Sequence, residues 1–189
     1  MTAKRVLIFK GSPREKGNSS TLADQVALGA REVGADVEVF SLRKLNIEPC
    51  TGCDACQRAG GGGHCNIDDD MQALYPKLRE ADAIILAGPV FWFTIGAQTK
   101  LLMDRFYALG GDTGYALAGK RIGIILTYAD ADPFLSGAVN ALRTFQDAFA
   151  FVGAKIVGMV YGSAAGPGEV SSNRELMSKA FDLGKQLGV

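Results

Sequence analysis

The chain has 189 residues, close to the size of one domain of about 150 residues, so a single unit over 1–189 with its own core is expected. Lys plus Arg number 20 and Asp plus Glu number 20, and this zero net charge offers no field to draw in nucleic acid or an anionic membrane. Hydrophobic residues at 48% and charged residues at 21% exclude a disordered or low-complexity chain.

The opening stretch, MTAKRVLIFKGSP, carries only a short apolar run before Lys10, too short for a signal-peptide core. No apolar run approaches the roughly 20 residues that span a bilayer. A cytoplasmic location is therefore expected, where thiols stay reduced. Runs at Val6–Phe9, Ala83–Ala87, Ile122–Leu126 and Ile156–Val160 are apolar almost without alternation, as strands covered on both faces are. Val37–Phe40 alternates, as an edge strand does. Helical spacing links Leu22, Val26 and Ala30; Met71, Leu74 and Leu78; Leu101, Leu102 and Phe106; Leu142, Phe145 and Phe149; and Leu176, Ala180, Leu183 and Leu187. Strand and helix alternate throughout, which predicts an α/β fold with a parallel sheet between helical layers.

The first strand runs into GSPREKGNSST, at the carboxyl edge where open α/β sheets bind ligands. Ser12, Ser19, Ser20 and Thr21 offer hydroxyls, Arg14 a charge, Gly17 a tight approach, and the following helix its unpaired N–H groups. Five residues separate Gly11 from Gly17, and Asn18 stands where a Walker A loop has lysine. The middle glycine of a dinucleotide fingerprint is missing as well. A monophosphate cradle fits these residues; simple helix capping by Asn18 or Ser19 is the alternative.

Leu45 to Asp70 has no clear period and holds all four cysteines, in the spacing C-x2-C-x2-C-x8-C at Cys50, Cys53, Cys56 and Cys65. This spacing suits a [4Fe-4S] ligand run better than paired zinc knuckles. Reduced thiols or a labile Cys50–Cys53 pair remain open, as does zinc. His64 is read as a solvated loop residue. Asp68, Asp69 and Asp70 are read as charges capping the next helix, and Lys100, Asp104 and Arg105 as surface ion pairing.

Together, GSPREKGNSST, PCTGCDACQ, DDDM and AGPVFWFTIGAQTKLLMDR, in this order along essentially the whole chain, resemble the flavodoxin-like NADPH-dependent FMN reductases, including the iron-sulfur flavoproteins. The resemblance implies a flavodoxin-like three-layer sandwich with a five-stranded parallel sheet in the order 2-1-3-4-5 and a cysteine-rich insertion at about 45–70. It implies FMN, with the phosphate held by Ser12, Arg14, Asn18, Ser19, Ser20 and Thr21. It also implies that Pro89, Val90, Phe91, Trp92 and Phe93 wrap the flavin ring with backbone N–H groups. Phe91 and Thr94 stand where the family commonly has tyrosine and asparagine, so side-chain bonds are not expected there. Exposed aromatics at this loop would otherwise serve as an apolar lid or an oligomer contact. Thr127 and Tyr128 should form a third wall, while Asp130 and Asp132 cap the helix after Pro133.

The expected activity is that of an NAD(P)H oxidoreductase passing electrons through FMN to a small acceptor, a flavin or a quinone, with no catalytic side chain because the cofactor carries the chemistry. The alternatives are an electron carrier with FMN and a [4Fe-4S] cluster serving redox proteins, and a thiol or metal redox sensor. Relatives assemble as homodimers or homotetramers, so a homo-oligomer is expected.

Overall fold

Unbroken apolar strands need cover on both faces, and the chain supplies it with two helices on one side and three on the other. The computed structural model describes residues 2–58, 63–111 and 114–189. In chain order the main elements are β1 (Arg5–Lys10), α1 (Asn18–Glu32), β2 (Asp36–Ser41), α2 (Met71–Glu80), β3 (Ala83–Phe91) and β4 (Thr94–Ile95). They are followed by α3 (Ala97–Arg105), β5 (Arg121–Tyr128), α4 (Ala138–Phe151), β6 (Lys155–Ser163) and α5 (Arg174–Gly188). The sheet runs β2-β1-β3-β5-β6, all neighbours parallel. This is the expected flavodoxin-like order. The two-residue β4 only turns back along the end of β3.

One face of the sheet buries Val6, Ile8, Ile85 and Ile125 against Leu22 and Val26 of α1 and Ala180 and Leu183 of α5. The other buries Leu7, Phe9, Ile84 and Ile124 against Leu74 and Leu78 of α2, Leu102 of α3, and Phe145 and Phe149 of α4. Part of the glycine surplus serves the first layer. A Cβ on Gly29 would lie 1.9 Å from the Phe181 carbonyl oxygen, and one on Gly184 would lie 2.1 Å from that of Val26. Only glycine lets α1 and α5 meet backbone to backbone.

The strand at Ile156–Val160 departs from expectation. As β6 it is the sheet's outer edge, half-buried along most of its length, with Val160 its one buried residue. Its apolar run reflects one covered face and a short exposed margin. Among the described residues, no helix is long and apolar enough to cross a membrane.

Candidate functional site

Parallel strands end their carbonyls at one edge of the sheet, and there the β1, β3, β5 and β6 loops enclose an open cleft of about 250 Å³. Its polar wall is the loop from β1 into α1, with Ser12, Arg14, Gly17, Asn18 and Ser19 facing it. The loop is folded tightly. Gly11 N–H donates to the Ala87 carbonyl at 2.6 Å, and Ser12 Oγ accepts from Arg14 N–H at 3.1 Å. A Cβ on Gly17 would sit 2.4 Å from that same Oγ and 3.2 Å from the Arg14 carbonyl oxygen, so any larger residue here has to displace the serine hydroxyl.

Gly17 is also the N-cap of α1, and no side chain caps the helix. The capping alternative therefore fails. The first intrahelical bond is Thr21 N–H to the Gly17 carbonyl, so the N–H groups of Asn18, Ser19 and Ser20 have no carbonyl behind them within the helix. Ser19 Oγ is buried and has no hydrogen-bond partner among the described residues. No carboxylate pairs with Arg14 there either. The nearby Glu15 is held by Arg43 and Lys44, and the hydrogen bond and charge of Lys44, followed by Arg43, lower its pKa.

Three of the hydroxyl and amide groups expected at the phosphate are engaged elsewhere. Ser20 Oγ donates to the Arg14 carbonyl at 3.5 Å and Thr21 Oγ1 to the Gly17 carbonyl at 3.3 Å, and neither residue lines the cleft. Asn18 lines it, yet its side-chain amide is spent on residues 164–170.

Pro89, Val90 and Phe91 form the second wall, and Thr127, Tyr128 and Ala129 the third. Thr127 and Tyr128 are buried. Burial, then the neighbouring Tyr161 and Asp132, push the Tyr128 phenol above its ordinary pKa, so it stays protonated at neutral pH. Trp92 and Phe93 do not reach the cleft. They form the two-residue turn between Val90–Phe91 and Thr94–Ile95, with φ of 48° and 66°, a turn that normally takes Asn-Gly. Trp92 is 92% exposed. A ring-wrapping role thus fits Pro89 to Phe91, whereas the next two rings point into solvent.

A fourth wall, Ala164 and Ala165 after β6, went unread in the sequence because two alanines carry no chemical signal. Asp132 does accept backbone bonds, but from Phe134 and Leu135 N–H. It caps a turn ahead of α4 rather than the helix itself.

The family model for NADPH-dependent FMN reductase matches residues 4–173. The chain belongs to this family. An iron-sulfur flavoprotein of Archaeoglobus fulgidus is 33% identical over 179 residues, covering 94% of this chain and 76% of the relative. A protein of Bacillus subtilis named as an NAD(P)H-dependent FMN-containing oxidoreductase is 24% identical over 186 residues, covering 96% and 97%. Among solved structures, an NAD(P)H:quinone oxidoreductase from Methanothermobacter marburgensis superposes with a TM-score of 0.72 at 18% identity, covering 98% and 100%. That last likeness shows the shared fold.

As an FMN reductase family member the chain is an oxidoreductase, and its cleft fits the family's cofactor. A buried hydroxyl without a partner among the described residues, a helix N-terminus with no side-chain cap and an arginine paired with none of the described carboxylates meet at one end of the cleft, as a phosphate dianion requires. The other end is walled by apolar and aromatic groups, as a flavin ring requires.

The cysteine segment lies apart from the cleft, on the α2–α3 side. Cys50 and Cys53 are exposed, Cys56 and Cys65 buried. Among the described residues, no three His, Cys, Asp or Glu side chains converge as a metal site would need, so the thiols as placed do not form a [4Fe-4S] cage. The Ala55 backbone N–H, then Thr51, lower the Cys53 pKa. His64 is exposed, as expected.

Two local expectations change here. Lys100 and Asp104 do pair on the surface of α3, but Arg105 turns inward. Its guanidinium bonds the Asp69 carboxylate, the Glu48 carbonyl at 2.8 Å and Cys65 Sγ at 3.4 Å. Asp69 is therefore the partner of a buried cation, although it also accepts from Met71 N–H at 3.0 Å. Helical spacing points to the exposed neighbour of Arg105 and is blind to a partner from another loop.

Proposed function

We propose that this chain oxidises NAD(P)H and passes the electron pair, through bound FMN, to a small acceptor such as a free flavin or a quinone, yielding NAD(P)⁺ and the reduced acceptor. When bound, FMN supplies the redox chemistry. Ser12, Arg14, Ser19 and the first N–H groups of α1 hold the phosphate and so set the depth at which the cofactor sits. Pro89, Val90 and Phe91 on one side, with Thr127 and Tyr128 on the other, orient the ring and keep water from it. Tyr128, held protonated, offers a hydrogen-bond donor rather than a negative charge.

The observation that carries this reading is the unpartnered, buried hydroxyl of Ser19 beneath an uncapped helix start. Such a group costs free energy unless a ligand satisfies it. The test is steady-state NADH and NADPH oxidation by FMN-loaded protein with flavin or quinone as acceptor. Turnover with neither donor would reject the reading. The exposed ridge of Trp92 and Phe93 serves, on this reading, as the contact through which copies assemble as a homodimer or homotetramer. Light scattering on wild type and Trp92→Ala checks that contact.

A second reading is an iron-sulfur flavoprotein carrier with a cluster on Cys50, Cys53, Cys56 and Cys65. The cysteine spacing and the names of relatives favour it; the dispersal of the four thiols opposes it. Flavin, iron and acid-labile sulfide assayed on protein purified without oxygen separate the two. FMN without iron supports the reductase, and about four irons with four sulfides supports the carrier.

A further inference from the structure

Asn18 begins the helix that offers its N-terminus to the cleft, yet its side chain belongs to a different loop. Its Nδ2 donates to the Ala164 and Gly166 carbonyls, both at 2.9 Å, and its Oδ1 accepts from Val170 N–H at 3.2 Å. The residue is buried. Both amide hydrogens and the amide oxygen are thus engaged by one segment, distant by 146 to 152 positions along the chain.

That segment is braced from both ends. Ala164 N–H donates to the Tyr128 carbonyl at 2.7 Å, which ties it to the wall at the end of β5. The Glu169 carboxylate accepts from Ala165 N–H at 2.9 Å and Gly166 N–H at 2.7 Å. These donors could otherwise attract an anion, and Glu169 occupies them from within the chain. The segment lines the cleft with Ala164 and Ala165, whose side chains have no group to bond an anion. Val170 anchors the far end in the core beneath α1 and α5.

From this we infer that Asn18 is a positioning residue: it latches the 164–170 segment across the cleft and fixes the spacing between the phosphate wall and the Thr127–Tyr128 wall, without its side chain touching the phosphate. Ala164 is the shared strut, bonded through its carbonyl to Asn18 and through its N–H to Tyr128. The inference rests on the reading of the cleft as the FMN site. Neutralising the 165–166 donors also confines phosphate binding to the α1 side, so the cofactor enters in one orientation.

The experiment pairs FMN affinity, read from quenching of flavin fluorescence, with hydrogen exchange at the Ala164 and Val170 amides of the full chain. Asn18→Asp keeps the acceptor and removes both donors; Asn18→Gln keeps all three groups on a longer arm and serves if the first variant folds poorly. The expected result for Asn18→Asp is about tenfold weaker FMN binding together with faster exchange at both amides. Asn18→Gln should show smaller changes of the same kind. Ser19→Ala should weaken FMN while leaving that exchange unchanged. Weaker FMN with unaltered exchange in the Asn18 variants would make Asn18 a direct ligand and overturn the latch. Faster exchange with unaltered affinity would overturn it too, because the segment would then not set the cleft. If Ser19→Ala also leaves affinity unchanged, it is the cleft assignment that fails.

Discussion

Arg105 and Asp69 form an ion pair whose side chains are 1% and 0% exposed, and every other ion pair among the described residues reaches solvent. The pair joins the end of α3 to the cysteine segment. Glu48 adds its carbonyl to the guanidinium and its N–H to the carboxylate. Removing one partner leaves a charge stranded in the core. Arg105→Leu or Asp69→Ala should therefore cost about 3–5 kcal/mol, read as a lower urea midpoint.

Acid should weaken the same pair. Burial disfavours the charged form of Asp69, but the Arg105 guanidinium and the N–H groups of Glu48 and Met71 outweigh it and hold the carboxyl below its ordinary value. A carboxyl depressed in the folded state contributes stability that is present above its unfolded pKa of about 3.9 and lost as pH falls through the folded value. The stability gap between wild type and Asp69→Asn should thus be widest near neutral pH and narrow below about pH 4. Urea melts across that range check it.

Ser19→Ala removes the unpartnered hydroxyl from the cleft. The apoprotein should keep its stability or gain slightly, since a buried polar group disappears, while FMN binding weakens about tenfold. Thr21→Ala, whose hydroxyl already donates to the Gly17 carbonyl, should leave FMN affinity near wild type. Flavin titration of both proteins decides it.

Gly184→Ala forces a methyl against the α1 backbone at Val26. Overpacking of this kind costs about 1–3 kcal/mol. Thermal unfolding should show the loss, and Gly168→Ala is an unsuitable control because its φ of 78° adds backbone strain.

Trp92 and Phe93 hold a turn that bulky residues adopt at a cost of about 1–3 kcal/mol each. Replacing the pair with Asn-Gly should raise the melting temperature of the monomer, measured at a dilution where copies do not assemble, and leave FMN affinity unchanged, because neither ring lines the cleft.

Much of this architecture was legible because its signals are local. Apolar runs such as Ile122–Leu126 announce covered strands, and the hydroxyls and glycine between Ser12 and Thr21 announce a loop built around a helix start. What escaped depends on partners far along the chain. The family resemblance puts Asn18 at the phosphate, and nothing nearby in the sequence reveals that its amide is claimed by Ala164, Gly166 and Val170. Arg105 looked like a surface charge since Lys100 and Asp104 share its helix, whereas Asp69 arrives from the preceding loop. Trp92 and Phe93 sit in a sequence that reads as continuous with Phe91, and only the positive φ angles turn them outward. The Ala164–Ala165 wall had no side-chain chemistry to betray it.

The approach of Gly29 to the Phe181 carbonyl and of Gly184 to the Val26 carbonyl makes each helix wait for the other. The loop at residues 12–21 leaves the ribosome early, but the helix behind it has no backing until residues 174–188 emerge and lay Gly184 against it. The latch from Asn18 likewise waits for residues 164–170. A chain folded only as far as residue 163 has the groups of its first loop but neither the Asn18 partners nor the α5 backbone behind α1, so the cleft becomes firm only once residues 164–188 have packed.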